Sequence, residues 1–226
     1  MTESALIVGA GSGLSAALAR LLAKEGFSVA LAARNPDKLA PLCAAINARA
    51  FACDASKRED VEALFAALGP LDMVVYNPSA RARGPLVELD PEEVRNALLV
   101  SCYGGFLVAQ QAARQMLAQG HGSILFTGAS ASVKGYARSA PFAMGKFGLR
   151  GLAQSMAREL QPKNIHVAHF VIDGGIRRAA DPRAAERGPD GMLEPDAIAA
   201  TYLHIHRQHR SAWTWEVELR PWVESF

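Results

Sequence analysis

Apolar runs of strand length alternate along the chain with longer stretches in which apolar residues recur every three or four positions. Residues 5–8 form a short continuous apolar run and predict a buried strand, and residues 14–24 follow with helical periodicity. The same rhythm predicts strands over 28–33, 50–53, 73–76, 123–126 and 165–172, and helices over 57–68, 100–119 and 140–160. Asn35-Pro36 and Asp90-Pro91 each place a capping side chain before a proline at the first helical position. Glu92 and Glu93 add carboxylates at the positive end of the second of these helices. Pro195-Asp196 opens one further helix, and residues 213–219 alternate like a last strand.

Continuous apolar strands separated by helices imply a parallel sheet covered on both faces. The expected fold class is therefore α/β, a doubly wound Rossmann-type sheet in a single domain over 1–226. No internal repeat or low-complexity tract interrupts it. Residues 177–192 break the rhythm, being rich in charge, alanine, glycine and proline. In a doubly wound sheet such a stretch lies where a substrate lid or a surface loop would sit.

Composition narrows the function classes. The chain has 226 residues, enough for one core, and half of them are hydrophobic. The net charge of +2 gives no reason to expect a nucleic acid or an anionic membrane as partner. Cys43, Cys53 and Cys102 are scattered, which fits free thiols in a reducing compartment rather than disulfides or a zinc site. No apolar stretch approaches membrane length and no signal peptide is visible, so the cytoplasm is the expected location. The expected partners are a small-molecule substrate and further copies of the chain. His204, His206 and His209 read as a solvated helix end and His166 and His169 as packing residues, so no metal site is expected.

The string Gly9-Ala-Gly11-Ser12-Gly13-Leu14-Ser15 follows the first strand and opens the first helix. Glycines there let the backbone turn tightly and approach a pyrophosphate, which the free N–H groups of the helix start then bind. That context, rather than the glycines alone, points to a dinucleotide. Arg34 ends the second strand where a carboxylate would bond the ribose hydroxyls of NAD. A cation there suits the extra phosphate of NADP, so the expected cofactor is NADP(H) in preference to NAD(H).

These residues resemble the short-chain dehydrogenase/reductase family over nearly the whole chain. Its glycine motif, G-x-x-x-G-x-G, is matched by Gly9 and Gly13, with Ser15 in place of the third glycine. Cys53-Asp54, followed by Ala55, resembles the family's adenine-contacting Asp after the third strand. Asn77 matches the second Asn of the family's N-N-A-G segment, whereas Tyr76, Pro78 and Ser79 depart from it. Phe142-Ala-Met-Gly-Lys146 lies on the Y-x-x-x-K motif. The resemblance implies that Gly9, Gly11, Ser12, Gly13, Leu14, Arg34, Asp54, Ala55, Asn77, Ser79 and Lys146 hold the cofactor. It also implies a homodimer or homotetramer built on the long helices after the fourth and fifth strands.

The departures bear on chemistry. Family members assist hydride transfer with an Asn-Ser-Tyr-Lys set, and the resemblance places Ser101, Ala129, Phe142 and Lys146 at those positions. A positioned acid typically contributes roughly 10²–10⁴-fold and an oxyanion donor on the order of 10²–10³-fold. Phe142 and Ala129 supply neither. Lys146 alone is poorly matched to neutral pH at its ordinary pKa of about 10.4. Substitute hydroxyls nearby are Tyr136, Tyr103, Ser101, Ser130 and Ser132, with Tyr136 first because its loop borders the expected substrate side. The expected catalytic residues are therefore Lys146 and Tyr136. The resulting expectation is an NADP(H)-dependent oxidoreductase with a non-standard proton source, acting on a carbonyl or an enoyl thioester. The alternatives are a non-catalytic NADP-binding sensor or partner subunit, and a non-redox lyase or isomerase using the same pocket.

Overall fold

The computed structural model describes residues 2–178 and 180–224. Its sheet is built from β1 (Ser4–Val8), β2 (Ser28–Ala33), β3 (Arg49–Ala52), β4 (Met73–Tyr76), β5 (Gly122–Thr127), β6 (Ile165–Ile172) and β7 (Glu216–Leu219). The order is β3-β2-β1-β4-β5-β6-β7 and every pairing is parallel. The helices are α1 (Leu14–Lys24), α2 (Ala40–Ile46), α3 (Arg58–Ala66), α4 (Pro91–Leu98), α5 (Gly104–Gln119), α6 (Ala140–Leu160), α7 (Arg183–Arg187) and α8 (Pro195–His206).

Alternate strand residues face opposite sides of the sheet, and the two sides carry separate cores. Leu6, Val8, Val74, Tyr76, Ile124 and Phe126 bury against α3, α5 and α6. Ala5, Ile7, Met73, Val75, Leu125 and Phe170 bury against α1 and α8. Both faces are covered, which is why the strands read as unbroken apolar runs.

The chain leaves β1 toward β3 and returns on the other side to β4, so the order reverses between β1 and β4. The carboxyl ends of these two strands part there and open the crevice in which ligands of such sheets bind. The backbone N–H of Asn77 still donates to the carbonyl of Val8 at 3.0 Å, which fixes the crevice floor.

Several boundaries differ from the sequence pattern for local reasons. The helix expected from residue 100 is continuous with α4, through a π-helical turn at Leu99–Tyr103. Gly104 follows this turn, and a Cβ there would meet the Tyr76 hydroxyl at 2.5 Å and the Ala55 carbonyl at 2.6 Å. The Tyr76 hydroxyl donates to the carbonyl of Val100. Asn35 caps a 3₁₀ turn, Pro36–Leu39, before α2 starts. The last strand begins at Glu216, not at residue 213, because Trp213 instead stacks on His166 with ring centroids 4.6 Å apart. His206 is not a solvated helix end. It bridges Ser123 at 2.6 Å and Glu3 at 3.0 Å, clamping α8 to the amino-terminal edge of the sheet.

Candidate active site

Two adjoining cavities open at the carboxyl ends of the strands, of about 1260 Å³ and about 850 Å³. Gly9, Gly11, Ser12, Asn77 and Ser79 wall both. The larger adds Gly13, Leu14, Tyr136 and Lys146, and the smaller adds Arg34, Asp54 and Ala55. The cofactor residues expected from the sequence, with Lys146 and Tyr136, therefore border one continuous crevice.

The glycines do different work. Gly9 has φ +79°, and a Cβ there would lie 2.6 Å from the backbone nitrogen of Pro78. Its N–H donates to the carbonyl of Ala32 at 2.9 Å, which turns the chain sharply off β1. Gly11 and Gly13 instead face open space, with no atom within 4 Å of where a Cβ would stand. Their exposed backbone and the start of α1 form a cradle that a pyrophosphate fits.

Ser15, which the sequence marks only as a missing glycine, is a buried connector. Its hydroxyl donates to the carbonyl of Gly9 at 3.2 Å and accepts from the Asn77 side-chain amide at 2.7 Å. The loop after β1 is thus tied to the loop after β4. Two sequence-distant turns sharing one polar residue could not be read from spacing.

At the smaller end, the Asp54 carboxylate accepts from the backbone N–H and the hydroxyl of Ser56 at 3.0 and 2.7 Å. Partial burial opposes its ionisation, but the Ser56 hydrogen bonds and the charge of Arg34 hold its pKa below the usual carboxylate value. Arg34 and Asp54 therefore present charges of both signs to anything entering that end.

Lys146 is 2% exposed. Its ammonium donates to the carbonyl of Thr127 at 2.7 Å. Burial, reinforced by the charge of Arg81, lowers its pKa to about 7. The expectation that this lysine keeps an ordinary pKa is thus corrected, because desolvation disfavours the charged form. Tyr136 stands on the cavity wall with its ring half exposed, and among the described residues its hydroxyl has no hydrogen-bond partner.

Phe142 and Ala129 both line the larger cavity. The guanidinium of Arg81 lies 4.2 Å from the centre of the Phe142 ring. The substitute serines divide. Ser130 reaches the cavity, whereas Ser101 and Ser132 are fully buried and engaged elsewhere. Ser101 accepts from the N–H of Ala80 at 3.1 Å and donates to its carbonyl at 3.2 Å. Tyr103 stacks on Phe106 outside the cavity.

Behind the cavity floor, the Ser132 hydroxyl accepts from the N–H of Ala129 at 3.2 Å and faces His169 Nε2 at 3.3 Å. His169 Nδ1 faces Glu216 at 3.1 Å, and Arg150 grips Glu216 through two bonds of 2.6 and 2.8 Å. Burial pushes the His169 pKa down to about 4, so the ring is neutral. The directions are then set: Ser132 donates to Nε2 and Nδ1–H donates to Glu216. Gly128 is required above this ring, because any Cβ there would collide with it. The sequence showed none of this network, since its members lie on elements far apart in the chain.

A parallel doubly wound sheet with its ligand crevice at the β1/β4 reversal defines a dinucleotide-type α/β protein. The short chain dehydrogenase family model matches residues 3–180. The chain belongs to that family, which is a family of oxidoreductases. It is 30% identical to the 3-oxoacyl-(acyl-carrier-protein) reductase MabA of Mycobacterium bovis over 190 residues, covering 81% of this chain and 74% of that one. Its structure is similar to a short-chain dehydrogenase from Rhodopseudomonas palustris, with a TM-score of 0.84, 39% identity and coverage of 97% and 99% of the two chains. It is also similar to a metagenomic short-chain oxidoreductase in complex with NADP, with a TM-score of 0.84, 29% identity and 97% of each chain covered.

Among the described residues no helix is long and apolar enough to cross a membrane.

Proposed function

We propose that the protein is an NADP(H)-dependent oxidoreductase that reduces a carbonyl or an enoyl thioester without the tyrosine and serine of its family's catalytic set. In this assignment the backbone of Gly11, Ser12, Gly13 and Leu14 holds the pyrophosphate, and Arg34 takes the phosphate of the adenosine ribose. Asp54 and Ala55 border the adenine, Asn77 and Ser79 flank the crevice floor, and Lys146 grips the nicotinamide ribose. The dinucleotide, when bound, supplies the hydride.

The observation that carries the reading is the state of Lys146. A lysine sealed into the wall of this crevice, and poised near neutral pH, can both hold a ribose hydroxyl and release a proton from Nζ. Phe142 stands at the family's tyrosine position and Ala129 at its serine position, so neither moves a proton. The Tyr136 hydroxyl is the second group able to pass one, from the open side of the cavity. Residues 177–192, of which residue 179 lies outside the described residues, serve as the lid. Their ion pairs Arg177–Glu194 (2.6 Å) and Arg187–Glu224 (2.8 Å) support that role by fastening the segment to the cavity rim. The exposed Phe106 and Leu117 on α5, and Met144 and Phe147 on α6, support a homodimer or homotetramer through those helices. The cytoplasm is the compartment that fits free Cys43, Cys53 and Cys102.

Calorimetric titration with NADPH, followed by an NADPH-oxidation panel of carbonyls and enoyl thioesters, tests the assignment. Binding with turnover of at least one panel member is the expected result. Binding with silence across the panel would favour a nucleotide sensor, and absence of NADP(H) and NAD(H) binding would overturn the reading altogether.

A further inference from the structure

Seven arginines and Lys146 wall the larger cavity, against three carboxylates. The whole chain carries only +2, so its positive charge is concentrated here. Half of these cations are already engaged. Arg177, Arg183 and Arg187 pair with Glu194, Asp181 and Glu224 at 2.6–2.8 Å, and Lys146 bonds Thr127. Asp173 is paired with Lys134 and Arg220.

Of the other four, Arg20, Arg81, Arg83 and Arg178, two share one loop: Arg81 and Arg83. They project from the loop after β4, and among the described residues neither makes a hydrogen bond or ion pair. They crowd each other instead. Desolvation at the wall, then the charges of Arg83 and Arg178, lower the Arg81 pKa. Clustered like charges without a counter-ion are unfavourable, and an anion placed between them relieves that cost. Arg81 is also held in position without spending its donors. It rests on the face of Phe142 at 4.2 Å, a contact that leaves all five N–H groups available.

The pair does not serve the cofactor phosphates. Arg81 and Arg83 line only the larger cavity, whereas Arg34 and Asp54 lie at the smaller end, and the glycine cradle separates the two. The tyrosine position is thus occupied by an aromatic ring whose exposed face presents a guanidinium to the cavity. We propose that Arg81 and Arg83 form a subsite for the carboxylate or phosphate group of an anionic carbonyl substrate. The proposal rests on the oxidoreductase reading of this cavity and names the class of substrate it takes.

Calorimetry on the NADP⁺-saturated protein with two matched pairs tests it: 4-oxopentanoate against its methyl ester, and dihydroxyacetone phosphate against dihydroxyacetone. The two pairs separate a carboxylate from a phosphate preference. One anion of the four compounds should bind at least about tenfold more tightly than its neutral partner, and its affinity should fall with added salt. The double variant Arg81→Gln with Arg83→Gln should remove that preference, whereas Arg58→Gln, on α3 away from both cavities, should keep it. Neither exposed arginine makes a hydrogen bond or ion pair with the fold, so the double variant loses only the Arg81–Phe142 contact and its thermal midpoint should fall by no more than about 4 °C. Equal binding of charged and neutral partners, or an anion preference that survives the double variant, would overturn the proposal. If NADP⁺ does not bind, the oxidoreductase reading fails by itself. The same titrations on the cofactor-free protein then decide the subsite separately.

Discussion

The ammonium of Lys146 donates to the carbonyl of Thr127 at 2.7 Å, in a spot with almost no solvent contact. The folded-state pKa near 7 lies below the unfolded value of about 10.4. Between those values the unfolded chain binds a proton that the folded chain does not. Stability attributable to this residue therefore rises with pH across that window, by at most about 1.4 kcal/mol per pH unit, and is flat below pH 7. Denaturant unfolding of the wild type and Lys146→Met from pH 6 to 10 checks this. The variant should lose the upward slope, and an unaltered slope would refute the assignment of the shift to Lys146.

The three loop glycines should separate stability from ligand binding. Gly9→Ala places a side chain at positive φ and into Pro78. That strain should cost roughly 1–3 kcal/mol, lowering the thermal midpoint by roughly 2–4 °C per kcal/mol. Gly11→Ala and Gly13→Ala add a methyl to open space, so their midpoints should stay within about 1 °C of wild type when no ligand is present. Their NADPH affinity should nevertheless drop at least about tenfold, because the methyl displaces a phosphate from the backbone. Thermal scans with and without NADPH measure both effects.

Arg34→Asp tests the cofactor preference. It removes a phosphate partner and sets a second carboxylate beside Asp54, with which Arg34 interacts in the wild type. NADPH affinity should fall at least about tenfold while NADH affinity holds or improves. Parallel titrations read the ratio, and a ratio unchanged from wild type would place the adenosine phosphate elsewhere.

Ala129→Ser combined with Phe142→Tyr places two hydroxyls on the wall of the same cavity. Measurable NADPH-dependent reduction of simple ketones should appear, up to roughly 10²–10⁴-fold above wild type, the contribution typical of a positioned acid. Steady-state assays of the double variant decide it. Silence in a variant that still binds NADPH would mean the cavity is not shaped for ketone reduction.

Much of the fold was legible because the inner strands β1, β4, β5 and β6 are buried on both faces and so read as uninterrupted apolar runs, as in residues 165–172. The crevice was legible because Gly9, Gly11 and Gly13 fall directly between β1 and α1. What stayed hidden lacks a local signature. The π-helical turn at Leu99–Tyr103 arises where Gly104 must approach Tyr76 and Ala55, a tertiary demand with no periodicity of its own. The Ser132–His169–Glu216 network joins three elements distant in the chain. Arg81 and Arg83 look like ordinary loop charges until the fold sets them, still exposed, on the wall of the larger cavity. The shifted pKa of Lys146 depends on how completely α6 and β5 enclose it, which no spacing encodes.

Ser101 clasps both polar backbone groups of Ala80, one residue before Arg81. Ser101 is thereby a tether for the neighbouring loop. The pivot of the Arg81 side chain is pinned to the widened turn of a long helix, so its reach over Phe142 is set by the scaffold and not by the mobility of a surface loop. A shape change in that turn would be transmitted directly to the charged wall of the cavity.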